Sequence, residues 1–295
     1  MRLLALCVLS SLACEPPASD AATSGAPAVE QARSEQVAPS LDRYDLSVRA
    51  WVAELPGRLD EISGLAFTAD GRLFAHDDER GRIHEIDPRM GEVGKRFDLG
   101  GQVVNGDFEG IATTGERFFV ITSVGFLYEF REGEDREALG YRVTDTGVGA
   151  SCEVEGLDHD PVDDALLVAC KVASDDAANI VVHRIPIDPE HDPLPPLRVP
   201  KSSLVAHGLD AEFDPSAIVV TASGTYLLLS SRHSALIEVD RSGRVLVGAA
   251  LTAEWHAQPE GLEIADDGTL YISDERNGGV ARLTAFLPTG SEGSP

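Results

Sequence analysis

Apolar residues occur along the chain in short runs, and each run ends at a signal for a tight turn. Residues 62–67, 72–76, 82–87 and 93–99 have the apolar or alternating pattern of short β-strands. Asp70-Gly71 separates the first two runs, and this pair favours a hairpin because glycine readily adopts positive φ. Four antiparallel strands joined by three turns form one blade of a β-propeller.

The first strand of this unit carries a short phrase that returns four more times. An acidic or hydroxyl residue is followed by a small residue and then by an aliphatic one. A repeat of this size determines the architecture of a whole chain. Successive copies lie 46, 46, 61 and 44 residues apart. They predict five blades, although a sixth would fit in the long stretch between residues 157 and 213. The copies are Ser63-Gly64-Leu65, Glu109-Gly110-Ile111, Glu155-Gly156-Leu157, Ser216-Ala217-Ile218 and Glu260-Gly261-Leu262.

The last repeat has room for only three strands before the chain ends in Pro, Gly and Ser. Residues 44–52 alternate between polar and apolar positions and precede the first repeat. If this segment supplies the missing outer strand, the ring closes and an exposed sheet edge is removed. The sequence therefore predicts an all-β fold, a five-bladed propeller closed by an N-terminal outer strand. The stretch 186–200 is rich in proline and is interpreted as a loop.

The charge of the chain restricts its partners. It has 50 acidic and 24 basic residues and a net charge of −26. Such a surface repels phosphate backbones, so nucleic acid is excluded as a partner, and anionic lipid surfaces are disfavoured. Cations and cationic ligands are favoured. The alternative is that the acidity only keeps the protein soluble.

The N-terminus has the pattern of an export signal. A single arginine precedes the apolar run 3–13, which is too short to span a bilayer. Ser11-Leu12-Ala13-Cys14 is similar to a bacterial lipobox, which implies a lipid on Cys14; cleavage after Ala13 without lipidation is the alternative.

Composition divides the chain into four segments. Residues 1–14 form the signal segment, and residues 15–42 are a tether of Ala, Pro, Ser, Glu and Gln with too little apolar surface to fold. Residues 43–288 form the propeller, and residues 289–295 form a flexible tail.

Cys152 and Cys170 lie on the two strands of a predicted hairpin, 153–160 and 165–171, almost opposite each other. In an oxidising compartment this position predicts a disulfide, and two free thiols are the alternative.

The repeat also gathers polar side chains at one opening of the central channel. The residue before each small position and the residues that end the second strand of each blade should meet there. Converging carboxylates favour a cation, and an all-oxygen set suits Ca²⁺. The predicted metal ligands are Glu109, Glu155 and Glu260, assisted by Asp274 or Glu275. Alternatively, each glutamate accepts backbone N–H bonds from the neighbouring blade and locks the ring.

Further residues at the same opening are predicted to contact a ligand: Asp78, Glu79, Lys171, Arg232 and His233. No nucleophile elbow, zinc-binding pattern or phosphate-binding loop is present. If the protein is an enzyme, Glu155 and His233 are the candidate general acid and base.

The ordered motifs resemble those of the SdiA-regulated, YjiK-type propeller family of the bacterial envelope. The resemblance covers most of residues 60–283 and rests on four of the repeated phrases, at residues 62–65, 107–110, 152–157 and 258–262, and on the stretch 228–239. It implies a propeller similar in outline to phytase-like and lactonase-like propellers, located in the envelope, with a link to calcium homeostasis.

These observations together predict an exported propeller, anchored by lipid and facing the periplasm, that binds a small molecule or divalent cation such as Ca²⁺ without catalysis. Secretion without an anchor is the alternative for its location. A Ca²⁺-dependent hydrolase of phytase or lactonase type, and a scaffold for other envelope proteins, are the alternatives for its function. Membrane contact is expected only through the lipid.

Overall fold

The computed structural model describes residues 40–192 and 194–290. The predicted signal segment, Cys14 and most of the predicted tether lie outside the described residues, as do residues 291–295 of the predicted tail.

The described residues form five antiparallel four-stranded sheets, so the predicted five-bladed propeller is confirmed. Blade 5 contains the first described strand, and a two-residue strand from the connection between the third and outer strands of blade 2 adds a fifth, parallel strand to blade 1. The strands are β1 (Trp51–Glu54), β2 (Ile62–Phe67), β3 (Leu73–Asp77), β4 (Arg82–Ile86), β5 (Val93–Leu99), β6 (Phe108–Thr114), β7 (Arg117–Thr122), β8 (Phe126–Arg131), β9 (Ala138–Leu139), β10 (Arg142–Asp145), β11 (Cys152–Asp160), β12 (Ala165–Ala173), β13 (Asn179–Pro186), β14 (Leu194–Pro200), β15 (Ala217–Val220), β16 (Tyr226–Ser230), β17 (Ala235–Val239), β18 (Val245–Ala250), β19 (Pro259–Ile264), β20 (Leu270–Asp274) and β21 (Arg282–Phe286). Short 3₁₀ segments occupy Leu41–Arg43, Gly57–Leu59, Val148–Ala150 and Lys201–His207.

An N-terminal strand closes the ring, as the sequence predicts. β1 pairs antiparallel with β21, but it begins at Trp51 rather than at Tyr44. The alternation over residues 44–50 does not produce a strand because Asp45 accepts hydrogen bonds from the backbone N–H and the hydroxyl of Ser47, which turns the chain. Tyr44 makes only an isolated bridge with Pro288.

The third blade accounts for the long repeat interval. Its first two strands have nine residues each, and the 3₁₀ segment Lys201–His207 follows its outer strand. The interpretation of residues 186–200 as a loop is wrong in part, because Leu194–Pro200 is that outer strand. Proline is tolerated there because an edge strand has N–H groups that need no partner in the sheet.

The apolar core lies between the blades. Each of five buried clusters joins two neighbouring blades, and together they form a closed circuit. The cluster between blades 1 and 2 contains four phenylalanines whose rings pack edge-on or stacked, at centroid distances from 5.0 to 6.2 Å: Phe74, Phe97, Phe118 and Phe130.

The glycine of the repeated phrase allows neighbouring inner strands to approach each other. A Cβ on Gly110 would lie 2.6 Å from the backbone nitrogen of Leu157 in the next blade, and a Cβ on Gly156 would lie 3.1 Å from the Cα of Ala217. A Cβ on Gly261 would lie 2.9 Å from Leu65, so the same approach joins the last blade to the first. The glycine therefore has a packing role, and the residue before it is free for another.

Replacing Gly110 by Ala should destabilise the fold by about 1–3 kcal/mol, because the added Cβ meets backbone that cannot move without opening the ring. Gly94→Ala is the matched control, since a Cβ there has no atom within 4 Å. Urea unfolding of both variants tests the assignment, and equal stability of the two would contradict it.

Candidate functional site

A β-bulge interrupts the innermost strand of four blades at the residue before the glycine. The strand register shifts between Ile62 and Gly64, Phe108 and Gly110, Val154 and Gly156, and Pro259 and Gly261. The residue left unpaired is Ser63, Glu109, Glu155 or Glu260, and a bulge turns such a residue away from its ladder. In blade 4, Ser216 occupies the matching position just before β15.

These side chains reach one another across the blade boundaries. The hydroxyl of Ser63 donates a hydrogen bond to Oε2 of Glu109 at 3.1 Å, which joins blade 1 to blade 2. The hydroxyl of Ser216 in blade 4 donates a hydrogen bond to the carbonyl oxygen of Pro259, the residue before Glu260 in blade 5, at 3.0 Å. The charge of Glu155 acts on both Glu109 and Glu260. The structure thus brings the predicted glutamates Glu109, Glu155 and Glu260 to one opening of the channel.

Five more carboxylates interact electrostatically with this group. Asp107, Glu153 and Glu275 interact with the three glutamates directly, and Glu61 and Asp78 interact with Glu275. We call the whole set the acidic mouth. It consists of Glu61, Asp78, Asp107, Glu109, Glu153, Glu155, Glu260 and Glu275. Of these, Glu275 and Asp78 were predicted from sequence, whereas Glu61, Asp107 and Glu153 were not.

One cation belongs to the acidic mouth. Nζ of Lys171 donates a hydrogen bond to Oε1 of Glu155 at 2.6 Å and lies 4.0 Å from Oε1 of Glu153. The other six carboxylates form no ion pair with another described residue. Three of them accept side-chain hydrogen bonds from neutral groups: Glu109 from Ser63, Asp107 from Ser123 and Glu275 from Gln258. The ion pairs of Lys171 within the described residues are with Glu153 and Glu155, and its charge also acts on Glu260.

Burial and mutual repulsion favour the protonated form of these carboxyls. Burial, followed by the charges of Glu155 and Asp107, raises the pKa of Glu109 to about 9. Burial and the neighbouring Glu260 raise the pKa of Glu275 to about 8, and burial with the Glu155 charge raises the pKa of Glu260 to about 7. Burial also raises the pKa of Glu155, against the opposing effect of Lys171. At neutral pH the mouth therefore retains protons that a cation could displace.

The channel beneath the carboxylates is closed by apolar side chains. The cavity there has a volume of about 10 Å³, which is no larger than one water molecule. The mouth is thus a cup rather than a tunnel. Its floor consists of Leu65, Ile111, Leu157, Ile218 and Leu262.

Asp274 is separated from the predicted metal set by its own partner. It is 4% exposed, and its Oδ2 lies 2.8 Å from Nδ1 of the equally buried His256. The two residues form a buried pair at the end of β20, so the structure does not bring Asp274 to the carboxylates of the mouth.

Three of the predicted ligand residues also have partners of their own: Glu79, Arg232 and His233. Arg232 is exposed and pairs with Asp214 at 3.2 Å, and Glu79 is exposed beside Arg80. Nδ1 of His233 lies 3.1 Å from the Ser230 hydroxyl.

The ring of His233 also stacks on Phe213. Glu155 is bound to Lys171, so the two candidate catalytic residues have separate partners.

No three carboxylates among the described residues place an oxygen each within 4.8 Å of one another. A Ca²⁺ ion bound directly by Glu109, Glu155 and Glu260 would therefore require these side chains to move inward. Among described residues, the group that meets this distance is Cys152, Cys170 and His183.

Cys152 and Cys170 form a disulfide, with their Cα atoms 5.3 Å apart. The ladder pairs Cys152 with Ala173 and Cys170 with Val154. The register shift between Glu153 and Val154 leaves Lys171 unpaired, and this shift brings the two cysteines closer together. The disulfide flanks the Glu155–Lys171 pair on both strands.

At the opposite end of the channel, residues other than the glutamates of the repeated phrase form the hydrogen bonds between neighbouring blades. Oδ2 of Asp158 accepts a hydrogen bond from the backbone N–H of Val220 in the next blade at 2.6 Å. Oε2 of Glu263 accepts one from Phe67 N–H at 3.4 Å, and the Thr113 hydroxyl donates to the Phe67 carbonyl at 2.6 Å. These residues lock the ring, whereas the glutamates of the mouth have no such backbone bond to a neighbouring blade. The alternation of the inner strands gave no signal that would separate the two ends.

Helices contribute little to the described chain, and none of them has the length and apolar character needed to cross a membrane.

Solved structures of similar fold include enzymes of different chemistry. The glutaminyl cyclase of Myxococcus xanthus is 16% identical, with a TM-score of 0.57 over 81% of this chain and 94% of that one. A luciferin-regenerating enzyme is 9% identical, with a TM-score of 0.52 over 81% and 95%. A putative oxidoreductase (glucose dehydrogenase) of Thermus thermophilus is 16% identical, with a TM-score of 0.50 over 80% and 99%. At these identities the likeness concerns the fold alone.

No curated protein matches the chain significantly. The family model described as SdiA-regulated matches residues 38–279, which is most of the chain and includes every strand of the five blades except β21. The chain therefore belongs to the SdiA-regulated family.

Proposed function

We propose that this protein is exported to the cell envelope, anchored by a lipid on Cys14, and binds a positively charged ligand at the acidic mouth without catalysing a reaction. The observation that carries the proposal is the convergence of six carboxylates without an ion-pair partner in a cup that also holds Lys171. Membrane fractionation of the full chain and of Cys14→Ser tests the anchor, because only the lipidated chain should sediment with membranes.

An ammonium group is one ligand chemistry that suits the cup. The Lys171 ammonium already occupies the side formed by Glu153 and Glu155. Glu109, Glu260 and Glu275 offer the same kind of acceptors and form no ion pair with another described residue. A small molecule with an amino group would complete this arrangement with charge-assisted hydrogen bonds.

Ca²⁺ is the second ligand chemistry, since the mouth offers only oxygen donors, and such donors suit a hard divalent cation. Glu109, Glu155 and Glu260 would be its ligands, with Glu275 beside Glu260. Binding would draw the carboxylates together and remove the repulsion that now favours their protonated forms.

Thermal unfolding with Ca²⁺, Mg²⁺ and a simple diamine tests the proposal. A ligand present at about 100 times its Kd should stabilise the protein by about 2.7 kcal/mol. Glu260→Gln should abolish the effect, because it removes one acceptor from the centre of the cup. Glu116→Gln, a change at an exposed residue paired with Arg131, should leave it intact.

The other functions predict different outcomes of the same test. A hydrolase would turn over phytate, lactones or phosphotriesters in the presence of Ca²⁺ and lose that turnover in Glu155→Gln. A scaffold for envelope proteins would show no response to any cation. Either result would contradict cation binding without catalysis.

A further inference from the structure

A groove on the outer flank of blade 1 is lined by basic side chains although the protein is strongly acidic. It lies between the segment Gly57–Leu59, the strand β5 and the loop 132–137, and its volume is about 450 Å³. The charged residues of its lining are Arg58, Lys95, Arg96, Arg136 and one carboxylate, Asp135.

Two of these arginines have no counter-ion. Lys95 pairs with Glu132, and Arg136 lies 3.5 Å from Asp135. Within the described residues, Arg58 and Arg96 form no ion pair and no side-chain hydrogen bond. Arg96 is half-buried, and its unpaired guanidinium is available to bind an anion although the chain has twice as many acidic as basic residues.

A buried histidine beneath the groove gives an independent indication. His84 is completely buried, and neither of its ring nitrogens has a hydrogen-bond partner. It lies directly opposite Arg96 in the β4–β5 ladder, so the two side chains share one face of the sheet. Burial, followed by the charges of Arg58, Arg82 and Arg96 and opposed by Asp98, lowers the pKa of His84 to about 3. The arginines therefore converge on a neutral imidazole that has an unused N–H.

We propose that this groove binds a phosphate group between Arg58, Arg96 and Arg136. The three arginines come from three separate segments that line the same groove. That arrangement suits the several oxygens of a tetrahedral phosphate, whereas a planar carboxylate needs a single guanidinium fork. The phosphate belongs either to a lipid headgroup or to a soluble compound. The groove uses none of the residues of the acidic mouth, so either proposal can fail without the other.

Thermal unfolding in inorganic phosphate, at constant ionic strength set with chloride, tests the groove. The Tm of the unchanged protein should rise with phosphate, and Arg96→Gln should weaken the apparent affinity by about tenfold. Arg58→Gln is a second variant, exposed and therefore neutral for folding, and it should weaken binding in the same direction. Arg232→Gln removes an exposed arginine elsewhere and should have no effect.

Cosedimentation with vesicles distinguishes the two sources of phosphate. Binding to phosphatidylglycerol in phosphatidylcholine, lost in Arg96→Gln and absent from pure phosphatidylcholine, would assign a lipid headgroup. A response to inorganic phosphate without vesicle binding would assign a soluble phosphate compound. An equal response in Arg96→Gln, Arg58→Gln and Arg232→Gln, or no response to either probe, would overturn the proposal.

Discussion

Binding of a cation at the acidic mouth should release protons and should strengthen as the pH rises from 6 to 9. The pKa values of about 7, 8 and 9 for Glu260, Glu275 and Glu109 mean that these groups hold protons over parts of this range. A cation binds the ionised carboxylates, so it must displace those protons. The free energy needed to ionise the carboxyls falls as the pH rises. The observed affinity for the cation therefore increases with pH.

The effect should be large. Each proton displaced changes the affinity by up to tenfold per pH unit, so a gain of about tenfold or more is expected between pH 6 and pH 8. Calorimetric titrations in buffers of different ionisation enthalpy count the protons directly. Glu109→Gln should lower that count, since it removes the group with the highest pKa. An affinity that is constant from pH 6 to pH 9, with no proton release, would contradict the electrostatic description of the mouth.

Glu109→Gln should also make the protein more stable at alkaline pH. The pKa of Glu109 is raised in the folded state, so the group favours folding fully below its unfolded pKa of about 4.5, and this contribution is lost as the pH rises through about 9. Glutamine does not ionise, and it retains an oxygen that can accept the hydrogen bond from Ser63. At pH 8 we expect the variant to be more stable by an amount on the order of 2–4 kcal/mol.

Urea unfolding of the variant and of the unchanged protein at pH 5, 7 and 8 measures this difference. The stability advantage should be small at pH 5 and should increase with pH. Glu116→Gln serves as the control because Glu116 is an exposed carboxylate paired with Arg131, and it should show no such trend. A variant that is equally destabilised at all three pH values would indicate that Glu109 has a structural role, as the alternative prediction holds.

The closed ring could be predicted because its determinants are local and repeated. The turn signals recur from blade to blade, and the small residue of each phrase is a glycine in four of the five copies, where the next strand comes close, as at Gly110 and Gly156. The start of the closing strand was predicted less accurately. Residues 44–50 alternate as a strand would, but the side chain of Asp45 makes a local turn that the pattern does not reveal.

The sequence located five of the eight carboxylates of the acidic mouth. The repeated phrase located Glu109, Glu155 and Glu260, because a residue recurring next to a small residue occupies an equivalent place in each blade, and the ends of the second strands led to Asp78 and Glu275. The pairing of Asp274 with His256 could not be predicted, since the position of a strand end does not show which way its side chain turns. Glu61 and Asp107 were missed because they lie in connections between blades, outside the strand pattern.

The β-bulges explain why the order of the strands alone does not show which side chains point into the acidic mouth. A regular inner strand would direct Glu109 and Glu155 according to simple alternation, and the extra residue changes that direction. The predicted interblade lock does exist, but Asp158 and Glu263 form it at the other end of the channel.

The most direct test of the account is a crystal structure of the protein soaked with a lanthanide, used as a strongly scattering substitute for Ca²⁺. The account predicts an anomalous peak inside the acidic mouth, about 2.3–2.6 Å from carboxylate oxygens of Glu109, Glu155 or Glu260. Lanthanide ions found only on the outer surface, with these three glutamates unliganded, would contradict it.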